Sequence, residues 1–304
     1  EMTSSLVGSE MCIRDRIKFF KIHLSYSDGG IELLYSERGV AVNILILYYS
    51  GVGNTKMVAT KIFHELQGSH EATLVSIEDL STDITIADYD SLVIGFPTIH
   101  AAPAYPILTF IKQMEQLENS IPAFLFTTCG LYSANTLRIF AKLCEKKNMI
   151  TILSRSYRCA ATDGILLAPA MRIWSRHEKR LDKKVENDVS VFIRRCNDPV
   201  VADIPRFKIY SILNYPNKFF GQRFSPPIYT HKQHCVLCGK CRIHCPVQCI
   251  CKDDEGYPLF DNEKCIHCYR CIHHCPKKAL SLTKKRPLLK TLNDGWNWSS
   301  GDRK

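Results

Sequence analysis

Asn43-Ile44-Leu45-Ile46-Leu47-Tyr48-Tyr49 runs directly into Ser50-Gly51-Val52-Gly53-Asn54-Thr55, and Met57, Val58, Ile62, Phe63 and Leu66 follow at three- to four-residue spacing. An unbroken apolar run reads as a strand buried on both faces, and the spacing after it reads as one face of a helix. Strand, glycine turn and helix form a phosphate cradle. Small residues let backbone N–H groups converge, and the helix N-terminus adds a partial positive charge. Ser50, Asn54 and Thr55 offer side-chain donors as well. The stretch has neither the lysine of a P-loop nor the spacing of a G-x-G-x-x-G fingerprint. A short glycine turn alone does not identify the ligand.

Working outward, apolar runs predict further strands over 72–77, 91–96, 123–128 and 151–154. Helical periodicity covers 105–117, 133–147 and 174–196. Strands alternating with helices imply an α/β domain, a doubly wound parallel sheet covered on both faces. Ligands of such sheets sit at the C-terminal ends of the strands. Three strand ends carry suitable loops: Ser50 to Thr55, Pro97-Thr98-Ile99-His100-Ala101-Ala102-Pro103, and Thr127-Thr128-Cys129-Gly130.

The second decisive stretch is a repeat. Cys235, Cys238, Cys241 and Cys245 follow C-x-x-C-x-x-C-x-x-x-C and are closed by Pro246; Cys265, Cys268, Cys271 and Cys275 repeat the pattern, closed by Pro276. Two copies of this spacing signal two [4Fe–4S] clusters. Structural zinc competes for paired Cys-x-x-Cys motifs, but the repetition of four cysteines followed by proline weighs against it. Cys249 and Cys251 read as packing residues, since eight ligand positions are already filled. His234, His244, His267, His273 and His274 crowd the repeats and read as side chains that tune rather than ligate.

The strand-Ser-Gly-x-Gly-Asn-Thr stretch, Gly95-Phe96-Pro97-Thr98 and the Thr-Thr-Cys-Gly loop resemble a flavodoxin-type domain over about 43–197. The resemblance implies strand order 2-1-3-4-5 and bound FMN. It assigns Ser50, Gly51, Val52, Gly53, Asn54 and Thr55 to the phosphate, and Pro97, Thr98, His100, Thr128, Cys129 and Gly130 to the flavin ring. The sequence departs from the pattern at Val52, where a hydroxyl residue is usual and only the backbone N–H remains as a donor. No aromatic residue stands where flavodoxins often stack one on the ring, unless Tyr105 or Tyr132 swings in. His100 reads more readily as a loop residue than as a base, and Cys129 as a buried thiol.

The repeat resembles a bacterial two-cluster ferredoxin, a smaller α+β domain. That resemblance implies crossed ligation: Cys235, Cys238, Cys241 and Cys275 on one cluster, Cys265, Cys268, Cys271 and Cys245 on the other. The whole chain resembles the flavodoxin–ferredoxin fusion proteins of anaerobic bacteria. The function this implies is intracellular electron transfer between FMN and two [4Fe–4S] clusters. An FMN-dependent oxidoreductase acting on a small substrate and a flavin-free iron–sulfur redox sensor are the alternatives. An electron carrier is favoured over a substrate-converting enzyme, and no catalytic residue is assigned.

The chain divides as 1–41, 42–197, 198–227, 228–285 and 286–304. Leu6 to Arg16 read Leu-Val-Gly-Ser-Glu-Met-Cys-Ile-Arg-Asp-Arg. This resembles an in-frame translation of a transposase library-preparation adapter, so 1–16 are expected to be a sequencing scar. Residues 17–41 read as translated leader, with Val42 as a candidate start, and 1–41 as a whole are expected to be disordered. Prolines and aromatics over 198–227 predict a linker draped on both domains. The tail, 286–304, is expected to be disordered.

The chain has 304 residues, 45% of them hydrophobic, and a formal net charge of +10. Two domains fit this length. Each oxidised cluster with its thiolates removes about two charges, which leaves little case for nucleic-acid binding. Basic residues near the clusters fit acidic redox partner proteins instead. Fifteen cysteines without a disulfide spacing or secretory signal, and no apolar run long enough to span a bilayer, place the expectation in a reducing cytoplasm.

Overall fold

The computed structural model describes residues 23–27, 30–34, 42–81, 84–168, 170–198, 201–209, 211, 225–285, 291–292, 296–297 and 302–303. The chain divides into two units, Glu1–Val40 and Ala41–Lys304. In the first, where a disordered leader is expected, His23–Ser27 pairs antiparallel with Gly30–Leu34. The adapter-like stretch 1–16 lies outside the described residues.

The second unit is built on five parallel strands: β1 (Asn43–Tyr48), β2 (Glu71–Ser76), β3 (Ser91–Ile99), β4 (Ile121–Cys129) and β5 (Met149–Arg158). Their order is β2-β1-β3-β4-β5, the flavodoxin-like arrangement expected. Alternate residues of the central strands feed two cores. Ile44, Ile46, Val93 and Phe124 face one side with α1 (Asn54–Leu66) and α5 (Leu181–Asn197). Leu45, Leu47, Leu92 and Leu125 face the other with α2 (Tyr105–Gln113) and α3 (Thr136–Glu145). Burial on both faces is why these strands carry unbroken apolar runs rather than alternating.

Two helix boundaries differ from the periodicity by four residues or more. α2 stops at Gln113 because Met114 turns extended, and the Lys147 ammonium is placed to bond the Met114 and Lys112 carbonyls. α5 begins at Leu181, not near Trp174, because the Trp174 ring packs on Gly164 and its carbonyl accepts from the Ala161 N–H at 2.7 Å. Between them lies α4 (Thr162–Leu167), a six-residue helix that periodicity does not reveal.

Within the linker, residues 201–209 lie along the flavodoxin-like domain. The Asp203 N–H donates to the Thr151 carbonyl at 2.7 Å, and Lys208 and Asn135 exchange bonds of 2.8 and 3.3 Å. Tyr210, Phe219, Phe220, Arg223 and Phe224 fall outside the described residues.

The C-terminal domain is small. β6 (Tyr229–Thr230) pairs antiparallel with β9 (Leu280–Ser281), and β7 (Ile250–Lys252) with β8 (Pro258–Phe260). One-turn helices α6 (Lys240–Ile243) and α7 (Arg270–His273) sit within the two cysteine repeats. In the tail, where disorder is expected, residues 291–292, 296–297 and 302–303 are described. Thr291 is buried, the Leu292 N–H donates to His273 Nδ1 at 3.2 Å, and Trp296–Asn297 pairs with Asp302–Arg303. An imidazole nitrogen open to accept a main-chain N–H gives the tail its anchor.

Candidate functional site

The phosphate-cradle loop lies at the C-terminal end of β1. Gly53, the N-cap of α1, has φ 100°, a conformation that an L side chain rarely adopts, so glycine is needed there. The N-terminus of α1 carries no side-chain cap and no acidic residue in its first turn. Its unpaired amides and dipole are left for an anion. The side chains contribute less than the sequence predicts. Ser50 Oγ accepts from the Gly53 N–H at 3.0 Å, Asn54 donates to the Ala160 carbonyl at 2.9 Å, and the Thr55 hydroxyl lies 2.8 Å from that of Thr128. These groups shape the loop, and the backbone is what remains to hold a phosphate.

The residues assigned to a flavin ring come together at the ends of β3 and β4. Thr98 Oγ1 lies 2.9 Å from Thr127 Oγ1, and the Pro97 carbonyl accepts from the Ala104 N–H at 3.2 Å. His100 and Ala101 both adopt positive φ. His100 Nε2 is buried without a hydrogen-bond partner, and burial lowers the affinity of the ring for a proton. The buried, unpartnered nitrogen fits a loop that waits for a polar ligand. Burial pushes the Cys129 thiol up to about 11, so it is protonated at neutral pH. A Cβ on Gly130 would lie 2.5 Å from Ala161 Cβ, so tight packing alone explains that glycine.

The cysteines form two groups by their repeats, Cys235, Cys238 and Cys241 in one and Cys265, Cys268 and Cys271 in the other. Cys265 is buried in one small apolar core, and Cys241, Cys245, Cys271 and Cys275 pack against that core. Cys249 is buried beside the second group, its sulfur 3.5 Å from that of Cys245. Among the described residues no three His, Cys, Asp or Glu side chains converge as a single metal ion requires.

The two halves repeat in backbone as well as in sequence. Leu237, Gly239 and Gln248 in the first half and His267, Tyr269 and Lys278 in the second all have positive φ. Each pair stands at the same place in its repeat. Left-handed residues inside short loops turn successive N–H groups to one side, the concavity that an anionic cluster needs. Their surroundings are opposite. The loop from Cys265 to His273 is largely buried, while Val236, Leu237 and Ile243 are 56%, 50% and 71% exposed.

What buries the second half is the flavodoxin-like domain. Arg270, only 8% exposed, donates from Nε to the Gly51 carbonyl and from Nη2 to the Ser50 carbonyl, both at 2.8 Å. Its guanidinium also meets Glu78 at 2.6 and 2.5 Å and lies 5.3 Å from the Tyr49 ring centroid. A Cβ built on Gly51 would be 4.0 Å from Cys268 Cβ. His267 sets its ring edge-on to His100, centroids 6.3 Å apart. Leu166 of α4 enters the C-terminal core, and His273 Nε2 is 3.1 Å from the Thr162 carbonyl. The docking residues Arg270, Glu78 and Leu166 have no sequence signature, since their partners are remote in the chain.

Comparison with known proteins agrees with this division. Residues 45–156 match the family model of a flavodoxin domain, and residues 258–281 that of a 4Fe–4S binding domain. A 45-residue stretch is 47% identical to the pyruvate synthase subunit PorD of Pyrococcus horikoshii. It represents 15% of this chain and 42% of that relative, so the chain spans less than half the length of the curated protein it matches. Solved structures similar to it include a flavodoxin from the domain Archaea (13% identity, 51% of this chain and 99% of that one, TM-score 0.39). Oxidised Flavodoxin 2 from Bacillus cereus is 20% identical, over 50% of this chain and 99% of that one, with TM-score 0.39. The first model implies FMN and the second implies 4Fe–4S chemistry. The chain joins a flavodoxin-like domain to a ferredoxin-type 4Fe–4S domain, the parts of an electron-transfer protein that uses flavin and iron–sulfur.

Proposed function

We propose that the chain relays electrons between one FMN and two [4Fe–4S] clusters. The observation that carries this reading is Arg270, two residues after Cys268, which bonds the Ser50 and Gly51 carbonyls of the phosphate loop at 2.8 Å each. It sets the second cysteine group against the cradle. FMN, when bound, exchanges electrons singly or in pairs, and each cubane moves one. The chain's own residues do the rest. Main-chain N–H groups of the Ser50–Thr55 loop and the uncapped end of α1 hold the phosphate. The loops after β3 and β4 enclose the ring. Cys235, Cys238, Cys241 and Cys275 hold the outer cluster; Cys265, Cys268, Cys271 and Cys245 hold the inner one. The repeated positive-φ positions support two clusters rather than one.

The outer half is the side for partners. Exposed Lys240, Arg242, Lys252 and Lys277 surround Val236, Leu237 and the first cysteine group. A protein with an acidic rim and a small apolar centre fits this surface. Thiolates committed to oxygen-sensitive clusters fit a reducing cytoplasm as the working compartment. Among the described residues no helix is long and apolar enough to cross a membrane.

The test is anaerobic analysis of the purified chain. Two cubanes and one flavin predict about eight iron and about one FMN per chain. Iron near four, or no FMN after reconstitution, contradicts the reading.

A further inference from the structure

Arg270 belongs to the cluster-binding half by sequence, yet most of its side-chain bonds go to the flavodoxin-like domain. It lies between Cys268 and Cys271. Its Nη1 donates to the carbonyl of His244, the residue before Cys245, at 3.2 Å. The same guanidinium fixes the Ser50 and Gly51 carbonyls at 2.8 Å each. In a planar trans peptide the N–H points opposite to the carbonyl, and this chain has no cis bond among its described residues. Anchoring those two carbonyls therefore aims the N–H groups of Gly51 and Val52 away from Arg270. Val52 has no hydroxyl to offer, so its N–H is the donor that this position supplies.

We propose that Arg270 is a positioning residue that makes the inner cluster part of the FMN site. With the cluster in place, the Cys265–Cys275 loop holds Arg270, and Arg270 holds the phosphate loop with its amides presented to the anion. FMN binding and inner-cluster assembly then favour each other, because coupling between two sites is reciprocal. Glu78 neutralises the guanidinium and fixes its plane through two contacts, which a lysine in place of Arg270 cannot reproduce. The inference rests on the FMN–cluster reading above.

The experiment titrates the reconstituted full chain with FMN under anaerobic conditions and follows quenching of flavin fluorescence. Wild type is compared with Arg270→Lys and Arg270→Gln at measured iron content. Chelation of iron from the flavin-loaded wild type is followed by the same signal. The expected result is FMN binding at least roughly fivefold weaker in Arg270→Gln, with Arg270→Lys in between, and FMN release that parallels iron loss in the wild type. Equal FMN affinity in all three chains at equal iron content, with no flavin released on chelation, overturns the role of Arg270 and leaves the relay standing. If Arg270→Gln fails to take up iron, the Arg270→Lys comparison and the chelation of wild type decide. No FMN binding by any form, wild type included, overturns the relay itself, and the role of Arg270 with it.

Discussion

Arg270 and Glu78 meet through two guanidinium nitrogens and both carboxylate oxygens, at 2.6 and 2.5 Å, although 192 positions separate them in the chain. The pair joins the loop after β2 to the inner cysteine loop, on the carbonyl side of the phosphate loop. It lies at the border of solvent, with the Arg270 side chain 10% exposed and that of Glu78 34%. Arg270→Ala strands the carbonyls of Ser50, Gly51 and His244 and the Glu78 carboxylate. Truncating one member of such a pair costs about 2 kcal/mol or more, and the exposure of Glu78 favours the low end. Chemical denaturation of Arg270→Ala against wild type measures it, and an unchanged midpoint would remove the pair from the account of docking.

Gly130 separates packing from ligand binding. A Cβ there would lie 2.5 Å from Ala161 Cβ and 3.0 Å from its Cα, so backbone has to move. Overpacking of this kind costs about 1–3 kcal/mol. Gly130→Ala is expected to lower the thermal midpoint even in protein stripped of cofactor. A variant as stable as wild type would mean that the segment at Ala161 yields freely.

Cys249 and Cys251 test the ligand assignment. Cys249 touches Cys245, whereas Cys251 is exposed and directs its sulfur to the Leu259 carbonyl at 3.6 Å. Cys249→Ala and Cys251→Ala are expected to keep the full iron content, and Cys245→Ala and Cys275→Ala to lose iron. Iron lost on replacing Cys249 would move it into the ligand set.

Glu178 gives a pH signature. Burial alone would raise its pKa, but the Lys184 ammonium at 2.8 Å and the Arg158 N–H at 3.3 Å outweigh burial and hold the carboxyl below its ordinary value of 4.5. The unfolded chain therefore binds the proton first as pH falls. The stabilisation from this carboxylate is complete well above 4.5 and is lost as pH drops through 4.5 toward the lower folded value. Glu178→Gln is expected to flatten that part of the stability–pH curve. An identical acid limb in the variant would show that Glu178 contributes nothing there.

Much of the flavodoxin-like fold was legible because its strands are buried on both faces. Residues Ile44 to Leu47 are apolar in a row for that reason, and the glycine turn after them marks the switch to α1. The cysteine repeats were legible because cluster spacing is local. Legibility failed where tertiary contacts decide. Trp174 looks like the start of a helix until its packing on Gly164 is seen, and α4 is too short for periodicity to register. Asn54 and Thr55 look like free donors, yet they are engaged by Ala160 and Thr128, more than seventy positions away. Arg270 looks like one more basic residue in a cysteine loop, and nothing local marks Gly51 and Glu78 as its partners.

The central claim is that flavin and clusters exchange electrons within one chain. The direct measurement is anaerobic rapid mixing of the reconstituted full chain with a one-electron reductant that enters at the outer cysteine group. Flavin bleaching should follow cluster bleaching at a rate that does not change with protein concentration. Flavin bleaching that scales with protein concentration, or that never follows the clusters, would contradict the relay.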